Sequence, residues 1–270
     1  MTLRFTMLGC GSSPGVPRPN GDWGACDPTE PKNRRLRASL LVERWAGEAV
    51  TRVVIDTGPD FRAQCIANGI DRLDAVVLTH PHADHIHGID DIRTFVLTSR
   101  RRMPVYADAG TFARVKEAFA YCFTRPPGSD YPPICEHIGI EQDTAFSIQG
   151  PGGEIAFEPL VQTHGSIQSL GFRIGGLAYC SDVSAMPTET VERMHGLDVL
   201  IVDALQYRTH PSHFSVSEAV AFSRSIRPRR TILTHMHTPL DYQTLVTELP
   251  ETFEPGFDGL TLELDGVDVP

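Results

Sequence analysis

The sequence predicts a layered α/β fold, and three observations support this class. Predicted strands and helices alternate along the whole chain, as they do in layered α/β domains. They fall into two comparable halves, roughly residues 1–150 and 151–270, with no internal repeat, low-complexity tract or linker. Side chains that bind metals follow several predicted strands directly, where α/β proteins place their ligands. We therefore expect one domain, 1–270, built from two αβ halves.

The first half begins with a strand at residues 2–8, which runs into the glycine-rich segment 9–17. Three glycines after a strand either bring backbone amides close to an anion or form a plain tight turn, and their spacing matches no phosphate-binding motif. The Pro-rich residues 125–133 are predicted to form a loop. Further strands are predicted at 39–42 and 52–55, as a hairpin around Gly47, and at 73–78 and 105–107, with helices at 61–68, 86–98 and 109–123.

The second half is predicted to continue the alternation. One helix is expected to begin at a cap formed by Ser215 or Ser217. The predicted strands are 155–161, 170–174, 177–180, 198–202, 231–233 and 260–264, and the predicted helices are 215–225 and 240–249.

Composition and charge exclude several classes of protein. The formal net charge of −10 argues against a main task of holding nucleic acid, because phosphate contacts need clustered Lys and Arg. No apolar run approaches the ~20 residues that span a bilayer, and the segment before Gly9 is too short for a secretion signal. The six cysteines are scattered, so we expect free thiols in a reducing cytoplasm.

The strongest motif is T-H-P-H-A-D-H at residues 79–85, directly after the predicted strand 73–78. Its metal-binding side chains are His80, His82, Asp84 and His85. Three of the eleven histidines fall in this short segment, so a chance histidine-rich loop is the weaker interpretation. Imidazoles and carboxylates at this spacing suit divalent transition metals.

Three further donors, His164, Asp182 and His235, follow other predicted strands. His237 competes with His235, and we favour His235 because it stands nearer to the strand end. Seven donors suit two metals rather than one. We assign one metal to His80, His82 and His164, a second to Asp84, His85 and His235, and a bridging position to Asp182.

The charge of such a centre favours a small anionic substrate. Two divalent ions contribute four positive charges, and two aspartates with a bridging hydroxide remove three, which leaves about +1 in a chain of net −10. A phosphodiester monoanion is attracted to this centre, whereas an extended polyanion is repelled. Because no cysteine accompanies the donors, Zn and Mn are the main candidates, and Fe, Co and Ni stay possible.

Other polar residues have weaker assignments. Asp56, at the end of a strand, either orients a neighbouring ligand loop or caps a helix. Asp90 and Arg93 are weak candidates for substrate contacts, as are Arg34 and Arg35.

The chain resembles the metallo-β-lactamase-fold hydrolases. Residues 55–58 and 80–85 match that family in kind and order, as do His164, Asp182 and His235. The resemblance implies a four-layer αββα sandwich with the site at one edge of its two sheets. Within the family the chain is most similar to the carbon–phosphorus lyase accessory phosphodiesterase and, more distantly, to ribonuclease Z. The stretches that support this similarity are 9–17, 212–215, 232–235 and 255–260.

The same resemblance implies further roles. His213 is expected to act as a general acid or as a donor to phosphate oxygens; a surface histidine that caps the following helix is the alternative. A homodimer is also implied. Because only Cys26 occurs where the accessory phosphodiesterase has several zinc-binding cysteines, no structural zinc is expected. The loop 125–133 lacks the basic character of the ribonuclease Z arm, which makes cleavage of transfer RNA improbable.

These features predict a dinuclear phosphodiesterase of small cyclic or nucleotide-like phosphodiesters. In this hypothesis a metal-bridging hydroxide attacks phosphorus, Asp84 orients the hydroxide while ligating, and His213 protonates the leaving oxygen. One alternative is a thioesterase or lactamase of the same fold. The other is a metal-dependent nucleotide-binding protein without turnover.

Overall fold

Two mixed seven-stranded β-sheets form the centre of the molecule. The computed structural model describes residues 2–265. The strands in chain order are β1 (Thr2–Gly9), β2 (Ser39–Ala46), β3 (Ala49–Ile55), β4 (Ala75–Val77), β5 (Met103–Ala107), β6 (Cys135–Gly139), β7 (Phe146–Ile148), β8 (Ile155–His164), β9 (Ile167–Ile174), β10 (Leu177–Cys180), β11 (Val199–Asp203), β12 (Arg230–Thr234), β13 (Phe253–Pro255) and β14 (Thr261–Asp265). The first sheet has the order β14-β1-β2-β3-β4-β5-β6, and the second has the order β13-β12-β11-β10-β9-β8-β7.

Helices cover the outer faces of both sheets. They are α1 (Phe61–Ala67), α2 (Ala83–Ile86), α3 (Arg93–Ser99), α4 (Ala109–Phe123), α5 (Thr188–Glu192), α6 (Val216–Ile226) and α7 (Tyr242–Glu248), with short 3₁₀ turns at Pro31–Asn33 and Ile89–Ile92. This is the predicted αββα sandwich. No helix within residues 2–265 is both long and apolar enough to cross a membrane.

The strand sequences explain the four layers. In β2, Leu40 and Val42 belong to the large core cluster between the sheets, whereas Leu41 belongs to the cluster beneath the helices of the first sheet. Successive side chains of a strand point to opposite faces, so a continuous apolar run buries both faces. Phe157 and Phe172 of the second sheet face the same inner core.

Strand direction brings the ends of many strands to one edge. Strands β3 to β6 are mutually parallel, as are β10 to β13. Strand β8 points the same way as β10, since each is antiparallel to β9. The carboxyl ends of these strands therefore lie where ligands bind in α/β proteins.

Most predicted elements are confirmed, including the hairpin around Gly47, helix 109–123 and the Ser215 cap of α6. The predicted helix 86–98 is wrong as one element, because the chain forms α2, a 3₁₀ turn and α3 instead. Gly88 lies at the break: its amide donates to Thr57 O at 2.7 Å. The sequence pattern did not predict β6, β7, α5 and β13, which are short.

Candidate metal centre

Metal-binding side chains from both sheets converge at this edge of the sandwich. The seven predicted ligands all lie in two donor groups. His80, His82 and His164 form the first group, and Asp84, His85, Asp182 and His235 form the second. Within each group the donor atoms lie within 4.8 Å of one another. Residues separated by more than 150 positions thus share one site.

Asp182 lies between the two groups. Its Oδ1 is 3.8 Å from Nε2 of both His80 and His164, which belong to the first group. The same oxygen is 3.3 Å from Nε2 of His235, and Oδ2 is 3.1 Å from Nε2 of His85. One carboxylate therefore faces histidines of both groups, the arrangement expected of a bridging residue.

Asp56 orients the loop that carries the motif. Its Oδ1 accepts a hydrogen bond from the Thr79 amide at 2.8 Å, and its Oδ2 accepts one from the Thr79 hydroxyl at 2.8 Å. Oδ2 also lies 2.6 Å from Nδ1 of His85. The Thr79 hydroxyl in turn lies 2.9 Å from Nδ1 of His80. These contacts hold both rings with Nε2 directed to the donor groups, a common role of residues behind metal ligands.

Three residues of the site adopt left-handed backbone conformations within two residues of a strand end. Asp56, Asp182 and His235 have φ angles of 66°, 53° and 55°. Such conformations cost about 1–3 kcal/mol each for residues other than glycine. They turn the chain sharply at the strand end, and the surrounding core must offset that cost.

The two groups differ in their electrostatics. Burial lowers the pKa of His80 well below its usual range and that of His164 to about 4. In the second group burial also opposes charge on the rings, but the Asp182 carboxylate raises the pKa of His85 well above its usual range and that of His235 to about 9. The carboxylates of the second group thus create a negative potential that favours cations.

Unpaired buried atoms provide a test of whether metals fit this site. Among the described residues, several polar atoms of the cluster are buried and have no hydrogen-bond partner. They are Nε2 of His80, Nε2 of His85, Oδ2 of Asp182, Oδ1 of Asp203 and Nδ1 of His235. An unpaired buried polar atom costs about 1–3 kcal/mol. Three of the five, on His80, His85 and Asp182, face the donor groups, so divalent cations fit the residues present.

His213 and Asp203 form a pair beside the donor groups. Nδ1 of His213 lies 2.7 Å from Oδ2 of Asp203, which also accepts the Val183 amide at 3.0 Å. The His213 ring centre is 4.6 Å from that of His164 and 4.7 Å from that of His235. Asp203 was missed from the sequence, although it ends a strand as Asp182 nearly does. Its position at the end of a predicted strand, like that of the predicted ligands, is the sequence signal that could have identified it.

The structure places His235 and His237 in different surroundings. His235 lies in the second donor group, with Nε2 3.5 Å from Oδ2 of Asp84. His237 is turned away: its Nδ1 lies 3.1 Å from the Ser12 hydroxyl, and its Nε2 lies 2.8 Å from the Arg18 guanidinium. Both ring nitrogens of His237 are therefore engaged by protein.

The weaker substrate candidates lie outside the cluster. Arg35 is wrong as a substrate contact, because it is fully buried and donates to Asn33 Oδ1 at 3.2 Å. Asp90 and Arg93 contact each other at 2.5 Å on the outer helical layer, and neither belongs to a donor group among the described residues. Arg34 is exposed and lies over the Trp23 ring.

Comparison with known proteins identifies the family. Residues 51–236 match the model of the beta-lactamase superfamily domain, and the chain belongs to this superfamily. An octanoyltransferase from Porphyromonas gingivalis is 34% identical over 268 residues, which cover 97% of this chain and 52% of the relative. The chain thus spans about half the length of that curated relative.

Solved structures agree with the family assignment. The crystal structure of a new diphosphatase from the PhnP family is 34% identical, with a TM-score of 0.88 and coverage of 98% of both chains. Human tRNase Z, short form, has a TM-score of 0.65 at 18% identity and covers 96% of this chain and 98% of that chain, a likeness of fold alone. The predicted metallo-β-lactamase fold and the membership of its superfamily are confirmed.

Proposed function

We propose that the protein is a dinuclear metal-dependent phosphodiesterase that cleaves small phosphodiesters. The observation that carries the proposal is the pair of donor groups that share Asp182. One metal would be held by His80, His82 and His164, a second by Asp84, His85 and His235, with Asp182 as the bridge. When bound, two such cations supply an activated water and neutralise charge that develops on phosphorus. Zn and Mn suit this donor set.

His213 is the proposed general acid. Asp203 occupies its Nδ1, so only Nε2 is available to give a proton to a leaving oxygen. The side chain is 10% exposed, which keeps the ring in one orientation and lets substrate reach it. Asp203 fixes the tautomer and stabilises the charged ring, as carboxylates do behind catalytic histidines.

A cavity next to the donor groups would hold the rest of the substrate. It has a volume of about 800 Å³ and is bordered by Pro81, which separates His80 from His82, and by Ile167, which pairs with His164. Among the residues that the structure describes, no Lys or Arg lines its wall, which carries three carboxylates. They are Asp108, Glu141 and Asp143. We therefore propose a leaving group that is neutral or cationic.

The leaving-group assignment is tested with paired substrates. Replacement of the exposed Glu141 by Lys is expected to raise KM for a choline phosphodiester several-fold relative to a glycerol phosphodiester, at low salt. Glu251→Lys, at another exposed glutamate that does not line the cavity, is the control. Equal effects of both substitutions would contradict the assignment.

Leaving groups of different basicity test the general acid. His213→Ala is expected to lower kcat/KM for an alkyl phosphodiester about 10²–10⁴-fold, because an alkoxide needs a proton in order to leave. Bis-p-nitrophenyl phosphate should lose much less, since nitrophenolate leaves without a proton. A chelator should abolish turnover of both substrates. Absence of turnover in the metal-loaded wild type, together with tight nucleotide binding, would favour a binding protein.

A second candidate reaction is hydrolysis of a diphosphate. It is favoured by the 34% identical diphosphatase structure that spans 98% of both chains. A panel that contains cyclic, linear and diphosphate substrates separates the two reactions by kcat/KM.

The compartment and assembly also belong to this proposal. All six cysteines are buried free thiols, which supports a reducing cytoplasm. For the predicted homodimer, the exposed apolar side chains of Leu97 and Tyr131, 71% and 77% exposed, provide a surface on the first sheet's outer layer. Light scattering after gel filtration would measure the oligomeric state.

A further inference from the structure

The glycine-rich loop, residues 9–17, is not built to bind an anion. The amide of Gly11 donates to Leu36 O at 2.7 Å, that of Gly15 to Ser12 O at 2.7 Å, and that of Val16 to Arg35 O at 3.0 Å. These donors are engaged by backbone carbonyls. A Cβ on Gly11 would lie 2.8 Å from Arg35 O, so the glycine allows the loop to pack tightly on the neighbouring chain.

What the loop presents to the site is the side chain of Ser13. The Ser13 hydroxyl donates to Oδ2 of Asp84 at 2.8 Å. That oxygen is the atom of Asp84 that faces the second donor group, at 3.4 Å from Nε2 of His85 and 3.5 Å from Nε2 of His235. The first donor group, by contrast, has no contact with Ser13 among the described residues.

Contacts with Arg37, which in turn binds Asp60, hold the backbone of Ser13 in place. The Nε–H of Arg37 donates to the Ser13 carbonyl at 3.0 Å. The Arg37 guanidinium binds both oxygens of Asp60 at 2.9 and 3.0 Å, and the Arg37 amide donates to Asp60 Oδ2 at 2.9 Å. A rigid chain of contacts thus leads from Asp60 to Asp84.

We infer that Ser13 is a positioning residue for Asp84 and sets the affinity of the second metal site alone. The inference rests on the proposed function. A hydrogen bond to one oxygen of a ligating carboxylate fixes its rotamer and adjusts its basicity. Because the contact reaches only the second group, its loss changes the two metal-binding steps unequally.

The experiment is a metal titration of the apoprotein in competition with a chromophoric chelator. Removal of a residue behind a ligand typically costs about 10–100-fold in metal affinity. We expect Ser13→Ala to weaken one of the two Zn²⁺-binding steps by that factor and to leave the other within two-fold of wild type. Ser13→Thr keeps the hydroxyl at an exposed position and should restore wild-type binding.

A matched control separates this effect from the general loss of a surface hydroxyl. Ser147 is exposed, and its hydroxyl donates to a Glu154 carboxylate at 2.6 Å, remote from the donor groups. Ser147→Ala should leave both steps unchanged. Equal weakening of both steps, no weakening, or no restoration by Thr would overturn the inference. A wild-type chain that binds no metal would instead refute the proposed function itself.

Discussion

Asp56→Asn gives the sharpest test of how the site is organised. The Asp56 carboxylate receives three donors: the Thr79 amide, the Thr79 hydroxyl and Nδ1 of His85. An amide has one oxygen, and its NH₂ group must face an acceptor. If the oxygen stays on the Thr79 amide, the NH₂ group faces Nδ1 of His85. His85 then carries its proton on Nε2, the nitrogen that is needed for metal.

The magnitude follows from these contacts. A charge-assisted hydrogen bond contributes about 1.5–3 kcal/mol, and its loss destabilises the apoprotein. The buried carboxylate also has a raised pKa because burial disfavours its charge, so a neutral amide recovers part of that loss. We expect the apoprotein stability to change by on the order of 1 kcal/mol. Metal affinity at the second site should fall about 10–100-fold.

The assay compares two quantities in one variant. Urea denaturation of the apoprotein measures the free energy of unfolding, and competition with a chelator measures both metal-binding steps. Asp130→Asn, at a fully exposed aspartate, serves as the control. If Asp56→Asn bound both metals within three-fold of wild type, our account of His85 orientation would be refuted. The account would also be refuted if the loss of metal affinity were fully explained by a lower free energy of unfolding.

Three further predictions concern the same site. In Gly58→Ala the new Cβ would lie 2.1 Å from the backbone oxygen of Asp84, so urea melts should show a loss of about 2–3 kcal/mol, together with weaker metal binding. Asp203→Asn should lower kcat for an alkyl phosphodiester about 10–100-fold with KM unchanged, because His213 loses its charged partner; metal content is measured alongside, and an unaltered kcat contradicts the role. Metal removal should lower Tm by ~8–16 °C when one metal had been present at about 1,000 times its Kd, and calorimetry with and without chelator checks this.

The sequence predicted the site best where residues close together in the chain contribute to the same function. The segment 79–85 lies in a few consecutive positions after a buried strand, so both its chemistry and its place in the fold could be predicted. His164 and Asp182 followed from the same rule, because strands β8 and β10 deliver their ends to one edge. The order of the strands in each sheet was not accessible, since it depends on contacts between distant segments.

The sequence was less informative where a remote partner decides the surroundings of a side chain. Alternation separates His235 from His237 but does not say which one faces the donor groups; Ser12 and Arg18, more than 200 positions away, bind the ring of His237. The basic segment around Arg35 predicts a solvated loop residue, but the fold buries Arg35. The break in the predicted helix 86–98 likewise depends on the carbonyl of Thr57, which no local pattern reveals.

The donor cluster contains strained turns and buried polar atoms without hydrogen-bond partners among the described residues. Asp182 and His235 hold strained backbone conformations, and both carry a buried atom without a hydrogen-bond partner. A cation held by the donor groups would satisfy Oδ2 of Asp182, whereas Nδ1 of His235 faces Oδ1 of Asp203 at 3.8 Å. Metal binding and stability would then form one linked equilibrium. The strained turns are therefore expected to be the first segments to open when metal is withdrawn. Hydrogen exchange at the amides after β10 and β12 would then accelerate more than exchange within the strands.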